Sequence, residues 1–339
     1  MVLQTERDEL LAAWSALSGD AGSNGWRTIR VACGAPCPLF AGRRFPGNEE
    51  ALLVGFESAR VPRSEELPQG KGFLVTRTDF GGCIPGLTWI ALIRQSQGRL
   101  DFFASMAVDV VAILAAMKDQ NRETVVDAFV ARIRAWQEFM LRGDDGLLRA
   151  EAELGLFGEI EMLLAISSAG LWPSSAVDAW QGPLGGIRDF SLGAGAIEVK
   201  STLSHAGFPA KVGSLDQLDD SVVQPIFLAG VRLTLSSAGR TLPELVMRLR
   251  ATLGADGAVL AAIDSRLIHA GFVHQVASSY TRRFSVVGIK LLLVAGSFPR
   301  LTQGNVPPEI RAARYDLDLD LVHGWDTTIE GALERLGVI

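Results

Sequence analysis

Cysteine and histidine are scarce in this chain, which has three cysteines and four histidines among 339 residues. So few cysteines, in an odd number, exclude a disulfide framework and favour a reducing compartment. Cys33 and Cys37 lie close together, but no Cys or His pair follows at zinc-finger spacing, and the histidines show no metal spacing either. The sequence therefore predicts no zinc site.

A basic excess and a long apolar run are also absent. Thirty-two Lys and Arg against 38 Asp and Glu give a net charge of −6, which excludes a basic coat but not a local basic groove. The apolar runs at 102–117 and 286–294 contain Asp109 and Lys290, so neither reaches the ~20 uncharged residues that span a bilayer. Charges at 6–9 interrupt any signal-peptide pattern. We expect a cytoplasmic protein with no membrane contact.

The apolar fraction of 48% supports a sizeable core, and the length predicts about two domains. A helix at 6–17 precedes short β-rich runs, and helices follow them. The predicted strands are 27–31, 51–56, 72–76 and 87–94, and the predicted helices are 106–117 and 122–141. Glycine and aspartate at 142–146 mark the boundary, so we predict an N-terminal α+β, β-rich domain over 1–143 that binds a target or a partner.

The second half alternates helices and strands, which indicates an α/β fold. We predict a main domain over 144–300 and a strand-helix extension over 301–339. The predicted helices are 147–168, 215–218, 242–253 and 256–269, and the predicted strands are 176–180, 186–192, 196–202, 222–233, 284–295 and 315–322.

One stretch of this half carries candidate chemistry. Side chains alternate along a strand, so Glu198 and Lys200 share one face. Glycines at 193 and 195 predict a hairpin that folds Asp189 back onto this strand. Asp189 shares the Glu198 face only if the loop is even or bulged, and the sequence allows either. Converging carboxylates are the hard oxygen ligands that Mg²⁺ prefers, and Lys200 would lie near an attacking water.

The preceding helix offers another acid. Glu159 falls on a stripe of residues expected to pack on the sheet, where a carboxylate is costly without a partner. Glu161 lies on a second apolar stripe, and periodicity does not choose between the two. Gly155 and Gly158 predict a close approach of this helix to the strands.

Glu159, Asp189, the run Glu198-Val199-Lys200 and the order α-β-β-β-α-β resemble the PD-(D/E)XK nuclease superfamily. The runs 155–159, 198–202 and 214–218 resemble one uncharacterised bacterial family of such proteins, found near phage-defence and restriction genes. The resemblance implies a restriction-endonuclease-like core. It also implies Asp189, Glu198, the Val199 carbonyl and Glu159 as metal ligands, Lys200 as the catalytic lysine and Gln217 as a supporting residue on a following helix.

Arg188 stands where the motif has proline, and the gap between Asp189 and Glu198 is short, but every ligand position is kept. The resemblance implies an endonuclease that hydrolyses DNA with Mg²⁺, or with Mn²⁺ in its place, in defence against phage. Other subunits of a defence operon and a second copy of the chain are the expected partners. A non-catalytic assembly subunit of the same fold is the alternative, and RNA is a weaker alternative to DNA. The basic residues expected to bind DNA are Arg27, Arg30, Arg43, Arg44, Arg60 and Arg63.

Overall fold

The computed structural model describes residues 2–19, 24–31, 34–57, 60–70, 72–80, 84–118, 120–141, 147–254 and 256–339. The chain forms two compact units, Met1–Gly146 and Leu147–Ile339. The predicted boundary turn at 142–146, Cys33 and Cys83 lie outside the described residues. No helix in the described part of the chain combines the length and apolar character needed to cross a bilayer.

The first unit combines an antiparallel sheet with three helices among its described residues. Its elements are α1 (Val2–Ala16), β1 (Gly25–Arg30), β2 (Leu39–Phe45), β3 (Glu49–Glu57), β4 (Phe73–Arg77), β5 (Leu87–Arg94), α2 (Leu100–Ala116) and α3 (Arg122–Leu141). The strand order is β1-β2-β3-β5-β4. The sequence analysis missed β2, because Gly42, Arg43 and Arg44 break its apolar pattern.

Those two arginines are held by acids on the neighbouring strand. Arg43 lies opposite Glu50 and Arg44 opposite Glu49 in the β2–β3 ladder, and ion pairs of 2.9 Å and 2.6 Å join them. Glu50 also pairs with Arg94 at 2.6 Å. Opposite charges across a ladder stabilise the pairing of the strands. Arg43 and Arg44 therefore serve the sheet, and the binding role expected of this region stays a prediction.

The second unit is built on a mixed sheet. Its elements are α4 (Ala150–Ser168), α5 (Pro173–Ala179), β6 (Phe190–Leu192), β7 (Gly195–Thr202), β8 (Pro209–Val212), β9 (Ile226–Arg240), α6 (Leu242–Leu253), α7 (Gly257–Ala270), β10 (Phe284–Val294), β11 (Tyr315–Asp318), β12 (Asp326–Thr327) and α8 (Ile329–Leu336). The strand order is β12-β10-β9-β7-β6, in which β7 and β9 are parallel and the other neighbours antiparallel. α4, β6, β7, β9, α6 and β10 give the order α-β-β-β-α-β, but with other elements than the sequence predicted, which used 176–180 as the first strand and 215–218 as the second helix.

Both faces of this sheet are buried. Phe227, Ala229 and Val231 of β9 pack into one core cluster with α4, α6 and α8. Ile226 and Leu228, at the alternating positions, pack into a second cluster with β8 and residues after β10. A strand buried on both faces reads as a continuous apolar run, and the run in β9 is what made it predictable.

Three predicted elements differ from the structure. Residues 176–180 belong mostly to helix α5, in which Pro173 takes the first helical turn and Ala176, Val177, Ala179 and Trp180 are buried. Helical spacing and a proline in the first turn are signals of a helix, but the short, mostly apolar segment at 176–180 was interpreted as a strand. Residues 215–218 form a turn, not a helix. The strand expected over 315–322 ends at Asp318, and a 3-10 turn follows at Leu319–Leu321.

Candidate active site

A tight hairpin sets Asp189 opposite Glu198. β6 and β7 pair antiparallel with Phe190 opposite Ile197, and Gly193-Ala194 is the two-residue loop between them. Continued by one residue, this register places Asp189 across from Glu198, on the same face. The sequence leaves open whether the hairpin loop has an even number of residues. In the structure it has, and the two carboxylates converge.

Asp189 is fixed from two sides at the point where the β6 ladder ends. Its Oδ2 accepts a hydrogen bond from the Val199 amide at 2.7 Å, so the side chain takes the place of a ladder carbonyl. Its own carbonyl accepts from the amides of Gln181 and Gly182 at 2.7 Å and 3.0 Å. The carboxylate thus has a defined position before anything binds.

Helix α4 brings Glu159 to the same place. Its Oε2 accepts a hydrogen bond from the Trp180 indole at 2.8 Å. Gly182 lies between this acid and Asp189: a Cβ on Gly182 would lie 2.7 Å from Asp189 Oδ1 and 2.9 Å from Glu159 Oε2. The two carboxylates therefore meet across a glycine that leaves them room.

Lys200 contacts Glu198 directly. The distance from Lys200 Nζ to Glu198 Oε1 is 2.6 Å, and the two side chains are 17% and 3% exposed. The other oxygen of Glu198, Oε2, is buried and has no hydrogen-bond partner among the residues that the structure describes. The alternation along β7 thus gives the predicted pair, with one carboxylate oxygen unused.

The site holds more negative charge than its surroundings compensate. Burial, followed by the nearby Asp189, raises the pKa of Glu198 to about 8, against the opposing effect of Lys200. Burial, followed by Asp189, likewise raises the pKa of Glu159 to about 8, against the Trp180 hydrogen bond. Burial also raises the pKa of Asp189. Three carboxyl groups and one ammonium in a buried cluster favour protons or an added cation.

Glu161, the second acid considered on α4, lies elsewhere. It is buried, and its Oε2 contacts Arg248 at 3.4 Å. Burial raises its pKa, and the nearby Arg248 and Arg240 oppose the rise. The structure therefore brings Glu159, and not Glu161, beside Asp189 and Glu198.

A family model described as "Putative PD-(D/E)XK family member, (DUF4420)" matches residues 10–320. The chain belongs to this family. No curated protein and no solved structure matches the chain. The α/β class and the PD-(D/E)XK resemblance predicted from the sequence are confirmed. PD-(D/E)XK proteins are nuclease-like and typically use divalent metals.

The PD-(D/E)XK cluster of this chain fits such a metal by its donors. Within the described ranges no three His, Cys, Asp or Glu side chains stand grouped closely enough to hold an ion as they are. A Mg²⁺ ion, however, needs only one or two carboxylates and keeps several waters. Asp189 and Glu198 are two such carboxylates, and the Oε2 of Glu198, which has no hydrogen-bond partner among the described residues, is a buried acceptor that a cation would satisfy. The ligand roles of Asp189, Glu198, Glu159 and the Val199 carbonyl stay predictions.

Arg188, in the position of the motif's proline, holds a neighbouring turn against the PD-(D/E)XK hairpin. Its guanidinium donates to the carbonyls of Asp216, Gln217 and Asp219 at 2.7 to 2.9 Å. Its charge also opposes, by a small amount, the rise in the pKa of Glu198. Its adjacency to Asp189 is the one sequence signal that pointed to such a role.

The structure corrects the placement of Gln217. The sequence predicted it on a helix after the motif strand, where its amide would support the PD-(D/E)XK site. It lies instead in a turn, and its Oε1 accepts a hydrogen bond from the Gly213 amide at 2.7 Å. The hydrogen bond joins two residues four positions apart and closes a local turn, so the side chain of Gln217 stabilises this loop.

Trp180 and Gly182 were not predicted as site residues. The sequence placed Trp180 at the end of a strand over 176–180, whereas in the structure its buried indole donates a hydrogen bond to Glu159. Gly182 carried no signal, because only the folded chain shows that its missing side chain leaves room for two carboxylates.

Proposed function

We propose that this protein is a metal-dependent nuclease that hydrolyses phosphodiester bonds of DNA with Mg²⁺, and that it serves in bacterial defence against phage. The observation that carries the proposal is the convergence of Glu159, Asp189, Glu198 and Lys200 in a chain of the PD-(D/E)XK family. The buried Oε2 of Glu198 has no hydrogen-bond partner among the described residues, so a bound cation would satisfy it.

Each side chain has a role that its position supports. Asp189 and Glu198 would hold Mg²⁺, or Mn²⁺ in its place, with the Val199 carbonyl as a further donor and Glu159 assisting. The bound ion would lower the pKa of a coordinated water and neutralise charge on the phosphoryl group. Lys200 would orient the attacking water and stabilise the negative charge that develops on phosphate oxygens, since an ammonium is most effective where water is scarce. The bond that breaks joins the phosphorus to a sugar oxygen of the DNA backbone, and the water oxygen takes its place on the phosphorus.

The partners belong to the same proposal. The net charge of −6 argues against strong nonspecific binding of DNA by the isolated chain. Other subunits of a defence operon, or a second copy of this chain that cuts the opposite strand, would compensate for this weak binding of DNA. We place the activity in the cytoplasm.

The test is cleavage of labelled plasmid and linear DNA, with RNA in parallel, in Mg²⁺ and in Mn²⁺. Glu198→Ala and Lys200→Ala should each reduce cutting by about 100-fold or more, because each removes a group that acts on the developing charge. Lys211 and Glu309 are exposed, so Lys211→Ala and Glu309→Ala are matched controls that should cut like the wild type.

Metal-dependent cutting of DNA that both site variants lose supports the proposal. Cutting that survives both substitutions, or a well-folded wild type that cuts neither DNA nor RNA with either metal and with its operon partners present, contradicts it. Cutting of RNA alone would move the substrate from DNA to RNA.

A further inference from the structure

A second polar pocket lies within the unit 147–339, on another side of α4. Glu161 follows Glu159 by two residues, and at 3.6 residues per turn two positions apart project to nearly opposite sides of a helix. The pocket around Glu161 has a volume of about 440 Å³ and is also lined by Arg240, Arg248 and Arg283. Those arginines come from the end of β9, from α6 and from the residue just before β10, so the fold assembles them from three segments.

Most N–H groups of these three arginines donate no hydrogen bond to the described residues. Arg283 donates to the Gly239 carbonyl and to Glu244, each at 2.9 Å, and its side chain is 40% exposed. In the described part of the chain, the side chain of Arg248 is paired with Glu161 alone, at 3.4 Å, and it is 46% exposed. Arg240 is exposed and has no hydrogen bond or ion pair with any residue that the structure describes. A guanidinium has five N–H donors, so most of those in the pocket are available to an anion.

Glu161 adds an acceptor to this basic pocket. Its side chain is 9% exposed, and Oε1 is buried with no hydrogen-bond partner among the described residues. An unmet buried carboxylate oxygen is costly, so a donor from a bound molecule would stabilise it. The pocket therefore presents an anion site and, next to it, a site for an N–H or O–H group.

We propose that this pocket binds a nucleoside phosphate, either as a free nucleotide or as the phosphorylated end of a nucleic-acid strand. The phosphate would take the donors of Arg240, Arg248 and Arg283, since guanidinium groups match phosphate oxygens in geometry and charge. An N–H of the base or a hydroxyl of the sugar would donate to Glu161. The volume lies within the roughly 300–1,000 Å³ range of small-molecule pockets and exceeds what a single phosphate needs. This proposal is independent of the proposed nuclease activity.

The test is isothermal titration calorimetry of the full chain in EDTA, which removes divalent ions from the other site. The titrants are inorganic phosphate, AMP, GMP, and a short DNA oligonucleotide with a 5′-phosphate or a 5′-hydroxyl. Arg240→Gln should weaken binding about tenfold, the loss expected for one charge-assisted hydrogen bond. Because Arg240 has no partner in the described structure, this variant should fold like the wild type. Arg311→Gln is the control, an exposed arginine outside the pocket.

A second variant tests the acceptor. Glu161→Leu, which has a side chain of similar size without an acceptor oxygen, should bind inorganic phosphate at least as tightly as the wild type, because a negative charge is lost, but should lose the preference for a nucleotide over phosphate. Binding of mononucleotides identifies the free ligand, and binding only of the 5′-phosphorylated oligonucleotide identifies the strand end. Both support the proposal if Arg240→Gln weakens them. Absence of binding by every titrant at millimolar concentration, or binding that Arg240→Gln leaves unchanged, overturns it.

Discussion

The residues that give the candidate site its chemistry also lower the stability of the folded protein. Glu159, Asp189 and Glu198 are buried together, and Lys200 contacts only one of them. Burial of like charges raises their pKa values and destabilises the folded protein whenever they ionise. A cluster that weakens the fold without a ligand is expected where function requires it.

Glu159→Gln should therefore stabilise the metal-free protein at pH 8. Glutamine keeps an oxygen for the Trp180 indole and removes a charge from the cluster. We expect a gain of at least ~1 kcal/mol, or about 2–4 °C in Tm for a unit of this size, together with reduced cleavage. Differential scanning calorimetry in EDTA measures the gain. Glu309→Gln, at an exposed position, should leave Tm unchanged, and a lower Tm for Glu159→Gln would contradict the account.

The same cluster predicts how stability depends on pH. The pKa values of Glu159 and Glu198 are raised from 4.5 to about 8, so between these values the unfolded chain has released protons that the folded chain retains. Stability from this source is complete below pH 4.5 and is lost as pH rises towards 8. The difference in Tm between Glu159→Gln and wild type should consequently widen from about pH 5 to about pH 8. A difference in Tm that stays constant from about pH 5 to about pH 8 would show that the ionisation of Glu159 does not affect stability.

Gly182 tests the geometry of the site without altering any charge. An alanine there would place its Cβ within 2.9 Å of both the Asp189 and Glu159 carboxylates, which must then move. Small displacements of reacting groups cost up to about 100-fold in rate, so we expect Gly182→Ala to cut DNA about 10- to 100-fold more slowly. Gly257→Ala, where a Cβ meets nothing within 4 Å, should cut normally.

At the scale of elements, two glycines of α4 differ in what they do. A Cβ on Gly158 would lie 1.9 Å from Ser201 Oγ, so this glycine allows α4 to pack directly on β7. A Cβ on Gly155 would meet nothing within 4 Å. The close approach predicted from the sequence is thus confirmed for Gly158 and wrong for Gly155, because periodicity gives the face of a helix but not the distance to its neighbour.

This contrast yields a prediction with its own control on one helix. Gly158→Ala should destabilise the unit 147–339 by ~1–3 kcal/mol through overpacking against β7. Gly155→Ala should stabilise it by up to ~1 kcal/mol, since alanine favours the helix and meets no clash. Urea unfolding of the two variants measures both values. The same sign of change in both would show that α4 packs differently.

The elements that the sequence predicted well are those with long or strictly periodic patterns. Helix α3 was predicted at its observed bounds, and β7 within one residue. The predictions for helix α5 and for the turn at 215–218 were wrong, because a segment of only four or five residues fits several conformations. β2 was missed because its arginines look exposed in sequence and are paired in the sheet.

At the scale of the whole molecule, the candidate site belongs to one of the two compact units. Glu159, Asp189, Glu198 and Lys200, with the contacts that hold them, all lie within Leu147–Ile339. The core clusters that support them also come from this unit alone. The unit thus contains what the proposed metal binding needs.

We expect the fragment 147–339 to bind Mn²⁺ as the full chain does. A ligand that binds only the folded state raises the unfolding temperature according to its concentration relative to Kd. Thermal unfolding of the fragment and of the full chain at several Mn²⁺ concentrations should show equal increases in Tm, and Glu198→Ala should abolish both. A folded fragment whose Tm does not respond, beside a full chain whose Tm does, would place part of the site outside this unit.

The sequence by itself determined the α/β class, the helix α3, the strand β7 and the placement of Glu198 and Lys200 on one face, because these follow from periodicities along the chain. Only the tertiary structure decided the even register that sets Asp189 opposite Glu198, the choice of Glu159 over Glu161, and the contacts of Trp180, Gly182 and Arg188. Those depend on distances between segments far apart in sequence. Loop parity, helix rotation and the depth of packing fix such distances, and none of them leaves a repeating pattern in the chain.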